Sequence, residues 1–131
     1  MTKDEIKAYY WLAVQLREER AELSELRTKA TNATQKISDM PGSKTAGDKI
    51  GYYAVKLTEA KKALKNREEK AKEIRAKLVD FVKAIDDPLM REIIQYRYLN
   101  LLSWRMVAYF VGGTHSEDSV RKRAERFLES L

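Results

Sequence analysis

The sequence predicts an all-α protein in which a long antiparallel helical hairpin of the coiled-coil type precedes three short helices. Ala, Glu, Lys, Leu and Arg dominate its 131 residues, which include only five glycines and two prolines. This composition is typical of long helices. An apolar heptad repeat runs through the middle of the chain and stops at Pro88. The change of pattern there predicts two domains, residues 1–87 and residues 88–131.

The first predicted domain contains two helices that pair along a narrow apolar seam. In the second helix, residues spaced three and four apart are apolar over five heptads, with Arg67 as the one exception. This spacing is the mark of a coiled-coil seam, in which a charged residue lowers stability but can fix the register. The first helix repeats the pattern more weakly. The principal seam residues are Leu16, Leu23, Leu57, Leu64, Arg67, Ile74 and Leu78, and the weaker seam of the first helix also includes Leu12 and Glu19.

A loop at about residues 38–48 is expected between these helices. Met40-Pro41-Gly42-Ser43 interrupts the helical text there, and proline and glycine favour turns. Two helices of similar length with a short connection fold back as an antiparallel hairpin. Apolar residues outside the strict seam, such as Trp11, leave two alternatives open: the hairpin is purely structural, or it drives self-association.

The second predicted domain holds three short helices, the first of which begins at Pro88, a residue suited to a first helical position. Ser103 caps the second helix and Ser116 caps the third, since serine is a preferred N-cap residue. Between them, Ala108 allows close helix approach and Gly112 makes the turn. Together these features predict a helix-turn-helix.

The third helix is the predicted recognition helix of this helix-turn-helix. It has four basic and four acidic residues, and its cluster Arg121-Lys122-Arg123 lies in the N-terminal half. In a helix-turn-helix that half enters the major groove of DNA. The alternative is an ordinary three-helix bundle with a solvated basic face. Trp104 likewise has two interpretations, as a core anchor or as an exposed stacking group.

Several short motifs resemble those of a known family, the RinA-type late-gene transcriptional activators of phages and prophages. The C-terminal part of that family resembles the sigma-factor domain that reads the upstream promoter element. The motifs are Asp39-Met40-Pro41-Gly42-Ser43, Gly47-Asp48-Lys49-Ile50, Asp87-Pro88-Leu89-Met90-Arg91, Tyr96-Arg97-Tyr98, Leu102-Ser103-Trp104, Val107-Ala108 and Val120-Arg121-Lys122-Arg123.

The resemblance implies a sequence-specific DNA-binding transcription regulator of phage or prophage genes. The expected partners are double-stranded DNA, a second or further copies of the chain, and bacterial RNA polymerase as an additional contact. The resemblance puts DNA base contacts on Glu117, Asp118, Ser119, Arg121 and Lys122. It puts DNA phosphate contacts on Ser103, Arg105, Thr114, His115, Arg123 and Arg126.

Composition excludes several other classes of protein. The chain has no cysteine and one histidine, which argues against disulfides and the common zinc sites. It shows no glycine-rich phosphate loop and no nucleophile elbow, so we expect no catalytic residues, metal or cofactor. The N-terminus mixes charged with apolar residues, which predicts neither a signal peptide nor a membrane span. We expect a protein of the bacterial cytoplasm, associated with the nucleoid.

Two other functions fit the same sequence. A phage small terminase subunit also joins a helix-turn-helix to a helical oligomerisation region and recognises packaging DNA, although its DNA-binding domain more often comes first. A protein-binding adaptor for RNA polymerase would use the hairpin and the sigma-like domain as docking surfaces. The net charge of +6 suits a polyanionic partner such as DNA, which both a transcription regulator and a terminase subunit bind.

Overall fold

The computed structural model describes the backbone of residues 1–39 and 44–131 and the side chains of residues 1–32 and 51–131. In this part of the chain the elements are helical and no strand is present, which confirms the all-α prediction. In chain order the elements are α1 (Lys3–Asp39), α2 (Lys44–Lys83), α3 (Pro88–Ile94), a π-helical turn (Gln95–Leu99), α4 (Trp104–Val111) and α5 (Glu117–Glu129).

The connection between α1 and α2 contains fewer residues than the loop predicted at about residues 38–48. Helix α1 continues to Asp39 and α2 begins at Lys44, and residues 40–43 lie outside the described residues. Gly47 was part of the predicted loop but lies inside α2. A single glycine inside a helix costs only about 1 kcal/mol, which is too little to end it.

The described chain divides into two compact units. One comprises residues 1–14 and 70–131, and the other comprises residues 15–69. The first unit therefore combines the start of α1 and the end of α2 with all of α3, α4 and α5. The predicted functional domains, 1–87 and 88–131, stay a prediction, because compact packing alone does not define a domain of function.

The core of the first unit is built from both long helices and the short ones. Its largest fully buried side chains come from α1, α2, α3, α4 and α5, and they are Ile6, Leu78, Ile93, Ile94, Val107, Val120 and Leu128. A segment of about 40 residues rarely buries enough surface to fold by itself. The short helices accordingly pack their apolar faces on the ends of α1 and α2.

Local signals fix the ends of the elements in this unit. Thr2 and Glu5 exchange two hydrogen bonds of 3.3 Å, a capping box at the start of α1. The Asp87 carboxylate accepts a bond of 3.0 Å from the Leu89 amide and caps α3. The Arg91 guanidinium donates two bonds, of 2.7 and 3.0 Å, to the Ile85 carbonyl just beyond α2. These bonds fix the turn from α2 into α3.

Three consecutive side chains of the π-turn pack against aromatic rings of other helices. Tyr96 lies against Phe110, with 5.8 Å between ring centroids, and Tyr98 is buried in the core. Burial raises the pKa of Tyr98 to about 12. Between these two tyrosines, Arg97 packs on rings from α1 and α4. A π-turn adds one residue to a helical turn, and here it lets adjacent residues serve both the core and the packing of α4.

The second unit contains the other part of the paired long helices. Leu16, Leu23 and Leu64 are buried at seam positions, and Leu57 is half-buried. The charged seam residue Arg67 forms an ion pair with Glu19, which occupies a seam position of α1. One oxygen of Glu19 is buried without a hydrogen bond. Such a pair contributes little stability but can fix the register between helices.

None of the described helices has an apolar stretch long enough to cross a membrane. Among the side chains of the long helices that the structure describes, the exposed ones are mostly charged or small, and the large apolar exceptions are Trp11, Tyr52 and Val55.

Truncation of Leu78 to alanine should destabilise the first unit strongly. Leu78 is fully buried in the core that joins α2 to the short helices, so we expect a loss of about 2–5 kcal/mol in the free energy of unfolding. The control is Val55→Ala, since Val55 lies on the same helix and is 58% exposed. Urea titration followed by circular dichroism measures both changes. Equal small effects of the two substitutions would contradict this description of the core.

Candidate nucleic-acid interface

Helices α4 and α5 are joined by a turn that depends on two glycines. Gly112 has φ +76° and Gly113 has φ +70°, a backbone region that other residues rarely adopt. The Gly112 amide donates to the Ala108 carbonyl at 3.3 Å and ends α4. Val107 of α4 and Val120 and Ala124 of α5 are fully buried in the common core. The two helices therefore form a packed pair with a short connection.

Serine caps begin both helices, as the sequence predicts. The Ser103 hydroxyl accepts a bond of 3.2 Å from the Met106 amide, and the Ser116 hydroxyl accepts a bond of 3.1 Å from the Ser119 amide. Each hydroxyl keeps its own hydrogen for an outside acceptor. The first amides of a helix have no partner within the helix and favour anions. Both helix starts can therefore bind phosphate oxygens.

The segment before α4 is held in a strained conformation. Leu101 has φ +57°, which costs about 1–2 kcal/mol for a residue with a side chain. The Leu102 amide donates to the Tyr96 carbonyl at 3.1 Å, and Arg97 donates to the Leu102 carbonyl at 3.0 Å. The π-turn thus holds both sides of Leu102 and positions Ser103 next to it.

Arg97 itself is enclosed by two aromatic rings. Its guanidinium carbon lies 4.5 Å from the ring centroid of Tyr10 and 4.6 Å from that of Trp104. Cation–π contacts contribute about 0.5–2 kcal/mol each. Trp104 is half-buried and packs on the core, which agrees with its interpretation as a core anchor. The arginine connects α1 to the first residue of α4.

The residues predicted to contact DNA lie on α5, on the turn before it and at the start of α4. Most of them are exposed, and Ser119 and His115 are half-buried. Lys122 and Arg126 lie one turn apart on α5, on the side opposite the buried Val120, Ala124 and Leu128. The exposed members of the predicted sets are Ser103, Arg105, Thr114, Glu117, Asp118, Arg121, Lys122, Arg123 and Arg126.

Two of the four carboxylates of α5 are paired with lysines of α1. Lys7 lies 3.4 Å from Glu125, and Lys3 lies 3.6 Å from Glu129. A third carboxylate, on Asp118, lies 2.9 Å from Arg121 within α5. No sequence signal predicts the pairs with α1, because the residues they join are far apart in the chain.

These ion pairs change the charge that α5 presents. Three basic residues of α5 form no ion pair with any described residue, and they are Lys122, Arg123 and Arg126. Among the four carboxylates of α5, that of Glu117 alone has no ion pair with a described residue. Although the helix as a whole is neutral, its unpaired charges are therefore mostly positive. An excess of unpaired basic side chains beside free helix amides attracts a polyanion.

Helix α4 carries an apolar surface that the sequence analysis missed. Met106 is 40% exposed, Phe110 is 50% exposed and Tyr109 is 76% exposed. The run Tyr109-Phe110-Val111 was the available signal, because three consecutive large residues cannot all face one core. We call Met106, Tyr109 and Phe110 the α4 patch. Among the described residues no cluster of side chains could hold a metal ion.

Protein-family models, curated proteins and solved structures were compared with the chain, and none of them matches it. The similarity to RinA-type activators therefore stays a prediction from the motifs.

Removal of Lys3 and Lys7 should weaken the attraction of the protein for polyanions. A Lys3→Ala/Lys7→Ala variant frees Glu125 and Glu129, so it should elute from heparin at lower salt. The control is Lys61→Ala/Lys62→Ala, which removes the same charge from exposed positions of α2 without ion pairs. The difference should be modest, because exposed ion pairs are weak. If the two variants elute together, the α1 lysines do not mask the carboxylates of α5.

Proposed function

We propose that this chain is a sequence-specific, DNA-binding transcription regulator of phage or prophage genes. In this proposal α1 and α2 form an antiparallel hairpin, α4 and α5 form a helix-turn-helix, and the protein acts on double-stranded DNA in the bacterial cytoplasm. The observation that carries it is the set of unpaired basic residues on α5 beside two serine-capped helix starts. The proposed family is that of the RinA-type activators.

Helix α5 is the proposed recognition helix, and its N-terminal half enters the major groove. Arg121 and Lys122 are the donors for guanine edges. Asp118 holds Arg121 by an ion pair of 2.9 Å, which fixes the guanidinium while leaving most of its five donors free. The proposed base contacts are completed by Glu117, Asp118 and Ser119.

Phosphate contacts flank this reading surface in the proposal. In the proposal one phosphate is bound by the Ser103 hydroxyl and the first amides of α4, and Arg105 lies in the same first turn. Thr114 and His115 in the turn, and Arg123 and Arg126 on α5, supply the other contacts. Such contacts set the register of the protein on DNA and do not read its sequence.

Substitution of Lys122 should relax sequence preference, whereas substitution of Arg126 should weaken binding uniformly. The first step is selection from a pool of random duplexes, which gives the preferred site. Fluorescence anisotropy on that site should then show a loss of about 5- to 150-fold for Lys122→Ala, the value of one base contact. Arg126→Ala should bind every sequence more weakly and lower the salt slope by about 1.

The matched control is Lys61→Ala, an exposed lysine of α2, which should leave affinity nearly unchanged. Two results would contradict the proposal. One is a selection that enriches no sequence. The other is equally weak binding at low salt by wild type and by a variant in which Arg121 and Lys122 are both changed to glutamate.

A second candidate function is that of a protein-binding adaptor, and the α4 patch favours it. Large exposed apolar side chains grouped on one helix often mark a protein contact. Tyr109 and Phe110 contact each other edge to face, with 5.5 Å between centroids, and Arg105 precedes the patch. The proposed partner is bacterial RNA polymerase, and an activator can bind DNA and polymerase together.

A Tyr109→Ser/Phe110→Ser variant should lose capture of purified bacterial RNA polymerase in the presence of nuclease. Removal of two exposed aromatic anchors typically costs more than about 1 kcal/mol each at a contact. Tyr52→Ser is the control, because Tyr52 is an exposed aromatic residue of α2 outside the patch. Circular dichroism verifies that the variant is folded. If the double variant captures polymerase as well as wild type does, the α4 patch is not the docking surface. If wild type captures no polymerase, the adaptor function is excluded.

A further inference from the structure

A groove of about 430 Å³ lies between the start of α1 and the end of α2. Its floor is apolar and includes Leu12 and Ile74, which occupy seam positions yet are only half-buried. Ala8 is exposed on the α1 side and has too small a side chain to cover them. In the first unit, one side of the seam is therefore exposed and can contact an apolar partner.

The two rims of the groove carry opposite charges. Glu5 lines it on α1, and Lys70 and Lys77 line it on α2, all of them exposed. Neither lysine forms an ion pair within the part of the chain that the structure describes. A partner that fits must bring an apolar stripe with a basic edge toward α1 and an acidic edge toward α2. The groove of a second copy has these properties.

We propose that a second copy of this chain docks in this groove. A two-fold axis parallel to the long helices lays α1 of each copy on α2 of the other, so that the apolar floors of the two grooves face each other. Glu5 of one copy then faces Lys77 of the second, and the arrangement repeats across the axis, as a two-fold interface requires. Ala8 allows the helices to approach closely, and Leu12 and Ile74 become covered on their open side.

This surface does not depend on the DNA proposal, because self-association is measured without DNA. Dimer formation through the groove would, however, give the DNA-binding proposal a geometric basis. The groove and α5 belong to the same compact unit, so a two-fold dimer combines two recognition helices in one particle. Dimers of helix-turn-helix proteins read two half-sites in this way.

A charge placed in the groove tests the site. Sedimentation velocity of the full chain over a range of concentrations, at about 0.1 M ionic strength, should show a monomer–dimer equilibrium for wild type. Ala8→Glu should raise the dimer dissociation constant by about tenfold or more, since it places a larger, charged side chain where the helices of the two copies approach closely. The control Ala76→Glu adds the same charge at an exposed alanine of α2 that does not line the groove, and it should dimerise like wild type.

A charge exchange between copies tests the orientation. Glu5→Lys alone and Lys77→Glu alone each place like charges opposite one another, which is unfavourable across an interface, and each should dimerise more weakly. An equimolar mixture of the two variants should recover dimers, because every facing pair again has opposite signs. Since Glu5 also belongs to the capping box with Thr2, Thr2→Ala is the control for loss of that cap and should not weaken dimers as Glu5→Lys does.

Several results would overturn the proposal. Wild type that remains a monomer at every concentration would mean that the groove does not hold a second copy. A ring of many subunits, or equal association of the Ala8→Glu and Ala76→Glu variants, would place self-association elsewhere. Failure of the mixed variants to form dimers would exclude the two-fold arrangement.

Discussion

The three short C-terminal helices share one core with the start of α1 and the end of α2. Leu78 from α2 and Ile6 from α1 are as completely buried there as Val107 and Val120. A segment of this size gains too little from burial to offset its conformational entropy alone. The long helices supply the missing apolar surface, so the placement of α5 depends on α1 and α2. The position of α5 in the candidate interface follows from that shared burial.

The charge of the candidate interface is one such feature. Packing brings Lys3 and Lys7 beside Glu129 and Glu125, and this leaves basic residues as the majority of the unpaired charges on α5. Composition alone describes α5 as neutral. The potential that a polyanion meets depends on which charges are free, and tertiary structure decides that. The neutral overall charge of α5 is therefore compatible with the DNA-binding proposal.

Local features of the fold could be predicted from the sequence, whereas features that depend on distant contacts could not. The all-α class and the serine caps at Ser103 and Ser116 follow from short-range rules of propensity and capping. The role of Arg97 does not, because its partner Tyr10 lies far away in sequence. The π-turn that directs Arg97 inward has no recognisable local signal. The α4 patch had a signal in Tyr109-Phe110, but periodicity alone does not distinguish a second apolar face from a core.

The start of α1 is the element on which both proposals converge. One side of it lines the groove through Glu5 and Ala8. Other residues of the same turns hold α5 through Lys7 and enclose Arg97 through Tyr10. Arg97 in turn fixes the carbonyl of Leu102, next to the Ser103 cap. Under the two proposals, docking of a second copy orders the turns that position the DNA-binding helices. Thermodynamic linkage then requires the reverse effect, so DNA binding strengthens the dimer by the same free energy.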